Sequence, residues 1–407
     1  MPNTNVSRIN SRTGRDAVRG RRAGNRRVNR EQAERRAFVD YTLVVAVLFL
    51  TGFGLVMIYS TSSYEASVQF GDSSYYLRKQ MLAAALGIVA MVIVAMLPYH
   101  FWERVAFPIY AVSYVLIFLI IPFGHEANGA KRWFRVAGIS VQPAEIMKIA
   151  VILFTAGLIV RLGGKRLRTG RGFALVLLTG LIPALLIRGI TDNMSSAVIV
   201  FGISFLMLFV AAPDYKRFAL IVGFVAVVAL VAVLVVMNTP EGSGAWRLER
   251  IRAWMDPASY ASGKGFQTLQ ALYAIGSGGL FGKGLGQSVQ KLGFIPEAQN
   301  DMIFSIICEE LGLVGALAVI SMFVIMIWRF MVIADSSSDL YGGMIVVGVM
   351  AHVSIQVILN IAVVTNVMPN TGISLPFISY GGSALVCMLM EVGLVLSVGR
   401  GIYIQDL

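Results

Sequence analysis

Apolar residues fall in long blocks separated by short polar stretches, and the blocks are long enough to cross a bilayer. About 20 apolar residues at 1.5 Å rise span the hydrocarbon core, so blocks of about 17–25 predict membrane helices. Ten stand at 41–60, 80–97, 105–123, 143–160, 173–187, 195–211, 218–237, 303–328, 342–362 and 377–399. The shortest, 173–187, contains Pro183. The pattern predicts an all-α, polytopic membrane fold of about ten transmembrane helices. It divides the chain into a basic arm (1–40), a membrane domain (41–400) and a short tail (401–407). One long segment, 238–302, separates the seventh and eighth helices. It retains Ile251, Trp254, Phe266, Leu269, Leu272 and Tyr273, which predict that it folds back onto the bundle; loops of this length usually carry function.

Composition agrees with that pattern. The chain is 57% hydrophobic and 14% charged, with mean hydropathy +0.74, whereas a soluble domain carries about 25% charged residues. Charge then orients the bundle. With the N-terminus inside, the inner segments hold 21 of the 34 Lys and Arg and the outer segments 12, with Lys148 inside a helix. The excess predicts that both termini are cytoplasmic and that 238–302 lies outside. Eleven arginines crowd residues 1–40, and the arm itself holds no short apolar h-region, so it is not a secretory signal. The arm suits topology and contact with anionic lipid rather than nucleic acid. Cys308 and Cys387 lie in apolar runs, and three histidines without a nearby cysteine cluster do not make a zinc site.

Soluble-enzyme motifs fail. The segment Gly279 to Gly286 looks like a phosphate loop, but Ser277 and Gly284 stand where glycine and Ser or Thr are required. What remains is charge placed where charge is costly. Glu145 and Lys148, three apart on one helix, read either as a self-neutralising packing pair or as a functional one. Glu309 and Glu310 lie a few turns into the eighth helix, with bundle gluing and function both open. Glu391, His352 and Asp192 read as structural. Asp301 opens the eighth helix at the end of the long loop. A carboxylate there serves as a helix N-cap or as a base. Lys283, Lys291 and Glu297 precede it, with Arg247, Arg250 and Arg252 further back, an arrangement suited to an anionic lipid-linked substrate. Glu297 and Asp301 are also compatible with a shared divalent cation, Mg or Mn.

Four ordered blocks carry a resemblance. They are Asn128-Gly-Ala-Lys-Arg-Trp133 with Gln142-Pro-Ala-Glu-Ile-Met-Lys148, then Trp246-Arg through Arg252-Ala-Trp-Met-Asp-Pro257. Next is Gly284 through Asp301 running into Glu309-Glu-Leu-Gly-Leu-Val-Gly315, and last Pro369-Asn-Thr-Gly-Ile-Ser-Leu-Pro-Phe-Ile-Ser-Tyr-Gly-Gly-Ser383. Over roughly residues 40–400 the chain resembles the SEDS family (shape, elongation, division and sporulation), its FtsW and SpoVE branch more than RodA. The resemblance implies ten membrane helices in the bacterial cytoplasmic membrane. It implies a peptidoglycan glycosyltransferase that polymerises lipid II at the outer face in division or sporulation, and a class B penicillin-binding transpeptidase as partner. Asp301 matches the family's essential acid in Pro-Glu-x-His-Thr-Asp-Phe-Ile-Phe; here Gln299-Asn300 replace His-Thr and Met302 replaces Phe. Lys131, Arg132, Trp133, Arg247, Lys283, Lys291 and Glu297 are the expected substrate-binding residues. A pyrophosphate leaves without needing a proton, so one base plus cations suffices, with inversion. A lipid II flippase, using Glu145, Lys148, Glu309 and Glu310, and a scaffold that recruits the transpeptidase are the alternatives.

Overall fold

A computed structural model describes residues 40–127, 130–136, 139–239, 246–263 and 265–402. The basic arm up to residue 39 and the tail from 403 lie outside the described residues. Among the described residues ten helices are long and apolar enough to cross a membrane: α1 (Tyr41–Phe70), α2 (Tyr75–Met96), α3 (Tyr99–Phe123), α4 (Pro143–Leu167), α5 (Gly170–Thr191), α6 (Met194–Ala211), α7 (Tyr215–Asn238), α10 (Ile303–Asp335), α11 (Leu340–Val364) and α12 (Gly382–Arg400). All ten expected spans are found, and most helices outrun their apolar blocks. Hydrophobicity marks what lies in lipid, whereas caps decide where a helix stops. The apolar block of α1 fades near residue 60, yet the helix continues to Phe70 and ends where Gly71 turns left-handed. Polar caps open several others: Asp40 accepts from Leu43 N at 3.0 Å and Asp339 from Gly342 N at 2.8 Å. Asp40 also holds Arg329 of α10 by two nitrogens at 2.7 and 2.8 Å.

Three findings depart from the sequence pattern. A small antiparallel sheet, β1 (His125–Ala127), β2 (Ala130–Val136) and β3 (Ile139–Val141), joins α3 to α4, so the fold is helical but not purely α. The long loop carries two helices, α8 (Trp246–Met255) and α9 (Phe266–Gly278). The last membrane helix begins at Gly382, not at 377: residues 373–381 form an irregular, largely buried segment. The apolar block covered both because burial, not helicity, is what it records.

That re-entrant segment answers the demand that buried backbone find partners. Three amide side chains from two helices supply them. Asn360 Nδ2 donates to Ile373 O (2.6 Å), Gln356 Nε2 to Ser374 O (2.9 Å), and Gln80 Nε2 to Ser379 O (3.3 Å) while its Oε1 accepts from Gly381 N (3.2 Å). α4, α11 and α12 are the most buried membrane helices, and α7 is the least, burying only Phe218 and Val236.

Candidate active site

Asp301 sits in the turn before α10, whose N-cap is Met302, with no side-chain cap hydrogen bond. Met302, not Asp301, takes the cap position, so the carboxylate lies one residue before the helix rather than at its cap. The backbone around it is tied instead. Asn360 Nδ2 donates to Asp301 O at 2.8 Å. Tyr380 N donates to Gln299 O at 2.9 Å, which stitches the third sequence block to the fourth. Gly372, at φ +70°, passes so close that a Cβ there would lie 3.8 Å from Asp301 Oδ2. Its N–H donates to Asn370 Oδ1 (3.0 Å), Asn370 Nδ2 to Gln267 Oε1 of α9 (2.9 Å), and Gln267 Nε2 to Pro296 O (3.2 Å). A chain of hydrogen bonds thus ties the Gly372 turn, next to the acid, to α9 and to Pro296 on the approach to Asp301.

Burial pushes the Asp301 carboxyl up to about 7, with a smaller push from the like charge of Glu297 and an opposing pull from its own backbone N–H. A carboxylate poised near neutrality suits proton abstraction. Among the described residues, Gln299 Oε1, Asn300 Oδ1, Asn360 Oδ1 and Thr371 Oγ1 are buried without a partner.

Lys283 and Lys291 have a different placement from the cradle expected around Asp301. Lys283 Nζ meets Glu309 Oε1 at 2.7 Å and Lys291 Nζ meets Glu310 Oε1 at 2.9 Å. Both glutamates are fully buried about 9 Å along α10 from its start, at 1.5 Å per residue. Ser60 of α1 donates to both oxygens of Glu310 at 2.7 and 2.8 Å, and Ser288 Oγ binds Glu309. The reason lies in the backbone. At Gly312 (φ +68°) α10 breaks, and the strand of chain running from Gly279 to Gly284 fills the gap. Lys283 N and Gly284 N donate to the carbonyls of Glu309 and Glu310, while Leu313 N and Val314 N donate to Gly279 O and Leu280 O, all within 3.1 Å. The segment that resembled a phosphate loop spends its N–H groups on a broken helix. Two buried carboxylates need paired cations, and the lysines meet that need.

The first block is held apart from this pair. Arg132 of β2 donates to Thr191 O (3.1 Å) and Asp192 O (2.8 Å) at the end of α5, where a cation complements the helix dipole. Burial lowers its guanidinium pKa, Asp192 opposes that, and the nearby charges of Arg250 and Arg188 add to it. Lys131 is exposed and Trp133 half-buried. Arg247 lies in α8, its side chain outside the described residues. α8 is anchored by a reciprocal pair: Trp254 Nε1 donates to Asn366 O (3.0 Å) and Asn366 Nδ2 to Trp254 O (3.1 Å). Glu145 and Lys148 pair with each other at 2.7 Å, both buried, and His352 with Glu391 at 2.7 Å. Among the described residues no group of three or more His, Cys, Asp or Glu could hold a metal. Sequence reasoning missed Asn360, Gln356, Gln80 and Ser60. The signal was present: an amide inside an apolar run is costly unless paired, as a charge is.

The fold and site define a multi-pass helical membrane protein with a poised acid at the mouth of its loop face. The family model described as cell cycle protein, covering FtsW, RodA and SpoVE, matches residues 41–402, and the chain belongs to that family. Stage V sporulation protein E of Bacillus subtilis is 38% identical over 364 residues, 89% of this chain and 97% of that one. The probable peptidoglycan glycosyltransferase FtsW of Trichlorobacter lovleyi is also 38% identical, over 92% of this chain and 96% of its own. Among solved structures, a peptidoglycan synthase complex described as coordinating polymerization and crosslinking matches with TM-score 0.73 at 28% identity, covering 89% of this chain and 98% of the other. RodA of Thermus thermophilus matches with TM-score 0.62 at 25% identity, over 90% and 98%.

Proposed function

We propose that this chain is a peptidoglycan glycosyltransferase of the bacterial cytoplasmic membrane, polymerising lipid II at an outward-facing site, with Asp301 as general base. The poised acid carries the reading: a half-buried carboxylate near neutrality, one residue before the helix cap and fixed by its backbone. Asp301 takes the proton of the acceptor sugar hydroxyl as that oxygen attacks the anomeric carbon of the donor. The bond to the pyrophosphate breaks, and that group leaves as an anion, inverting the centre. Lys131 and Arg247 remain the candidates to steady the leaving group, since Lys283 and Lys291 are already paired.

Glu297 and Asp301 are the residues that would hold a Mg or Mn ion if substrate phosphate completed its shell, since such ions need only one or two carboxylates when phosphate supplies the rest. The ion would add positive charge for the leaving group. The likeness to a synthase complex that couples polymerization to crosslinking supports a class B penicillin-binding transpeptidase as partner, within a division or sporulation assembly. The test is polymerisation of labelled lipid II by the purified protein, alone, with its transpeptidase and with EDTA. Lipid II moved across vesicles without glycan formation would favour the flippase instead.

A further inference from the structure

A second cleft lies at the opposite end of the bundle from Asp301, and the activity proposed for Asp301 leaves it unused. It encloses about 500 Å³ between the α4–α5 and α6–α7 connections and is lined by Leu167, Arg168, Phe173 and residues 212–217. Its chemistry is one-sided. Arg168, Lys216 and Arg217 line it against a single acid, Asp214. Arg217 Nε pairs with Asp214 Oδ2 at 3.0 Å and its guanidinium lies over the Phe173 ring at 5.4 Å. Arg217 Nη1, in contrast, is buried with no partner among the described residues. The first turns of α5 and α7 both border the cleft, so two positive helix ends face it. Phe173 and Leu167 give it an apolar wall.

Asp214 occupies one edge of the Arg217 fork, and the part of that side chain left exposed borders the cleft beside Arg168 and Lys216. A phosphate entering the cleft meets three cations against one acid, and the apolar wall fits the carbon that follows it. We propose that this cleft binds the phosphate of an anionic lipid headgroup. Arg217, Arg168 and Lys216 are the donors, and Phe173 and Leu167 lie against the glycerol and upper acyl carbons. This site is independent of the chemistry assigned to Asp301, so a failure of either reading leaves the other standing.

The experiment uses the full chain in phosphatidylcholine nanodiscs titrated with phosphatidylglycerol, reading retained lipid by native mass spectrometry and the thermal midpoint in parallel. Arg217→Gln should weaken retention roughly tenfold, about the worth of one charge-assisted hydrogen bond. Asp214→Asn should tighten it, since the competing carboxylate goes while the cap oxygen stays. Arg166→Gln, an exposed neighbour outside the cleft, should change nothing. Equal loss in Arg166→Gln would mean diffuse attraction to a basic face and overturn the site. So would unchanged retention in a folded Arg217→Gln protein. Inorganic phosphate that raises the midpoint as much as the lipid would reassign the cleft to a soluble phosphate compound and remove the lipid. Should Arg217→Gln not fold, Lys216→Gln and Asp214→Asn decide between them by opposite shifts, and no shift in either ends the proposal.

Discussion

Asp301 combines two costs that a purely structural residue would avoid: it is half-buried and its carboxylate lies outside the helix cap. Asp301→Asn should therefore abolish polymerisation, by about 10²–10⁴-fold for a lost general base, while the protein stays folded by circular dichroism. The pH profile follows in sign. The base works deprotonated, so turnover should fall as pH drops through about 7, the value to which burial raises the group. Stability runs the other way. A carboxyl raised above its ordinary value favours the fold at low pH, and that contribution is lost as pH rises through about 7. The Asn variant should then be at least as heat-stable as the parent above pH 7, measured by thermal unfolding in detergent. Asn360→Leu removes the hydrogen bonds to Asp301 O and Ile373 O. It should lower kcat by roughly 10²-fold, as misplacement of a reacting group can, and shift KM much less.

At the scale of elements, the break in α10 is the least expected feature. Gly312 is required there: its φ is +68° and a Cβ would come within 2.3 Å of Gly282 N. Gly312→Ala should cost about 1–3 kcal/mol from the strained backbone and more from the clash, read as a lower thermal midpoint. The pairs beside it should be coupled. Removing Lys291 alone, as Lys291→Met, strands Glu310 and should cost about 3–5 kcal/mol, whereas Lys291→Met with Glu310→Met should recover most of that. A double-mutant cycle on thermal stability measures it. These elements also mark how far the sequence could be read. All ten membrane helices follow from apolar block length, because lipid demands it. The re-entrant segment at 373–381 did not, since an apolar block looks the same whether its backbone is helical or pinned by Asn360, Gln356 and Gln80. The position of Asp301 at the loop end was legible. The partners of Lys283 and Lys291 were not, because they depend on a bend at Gly312 that brings distant backbone together.

For the whole molecule, the proposed reaction requires the Asp301 face to be outside. A single cysteine at Ser262, exposed after α8, should react with an impermeant maleimide in intact cells, and one at Arg166 should not. The native Cys308 and Cys387 are buried, which keeps the background low. Labelling at 166 would invert the bundle and put the acid on the side of the cytoplasm. The split of 21 inner against 12 outer basic residues is the argument from sequence for this orientation, and the labelling tests it.

The interleaved backbone at the α10 break has a temporal side. A ribosome delivers the chain from the N-terminus, so Ser60, Lys283, Ser288 and Lys291 all exist before Glu309 and Glu310 emerge. The two acids enter the membrane after every group that will neutralise them has been made. A circular permutant opened between Gly293 and Asp301 would reverse that order, releasing the acids first. Its yield in membranes, compared with a permutant opened near Ser262, would measure how much assembly relies on the sequence of arrival rather than on the finished contacts.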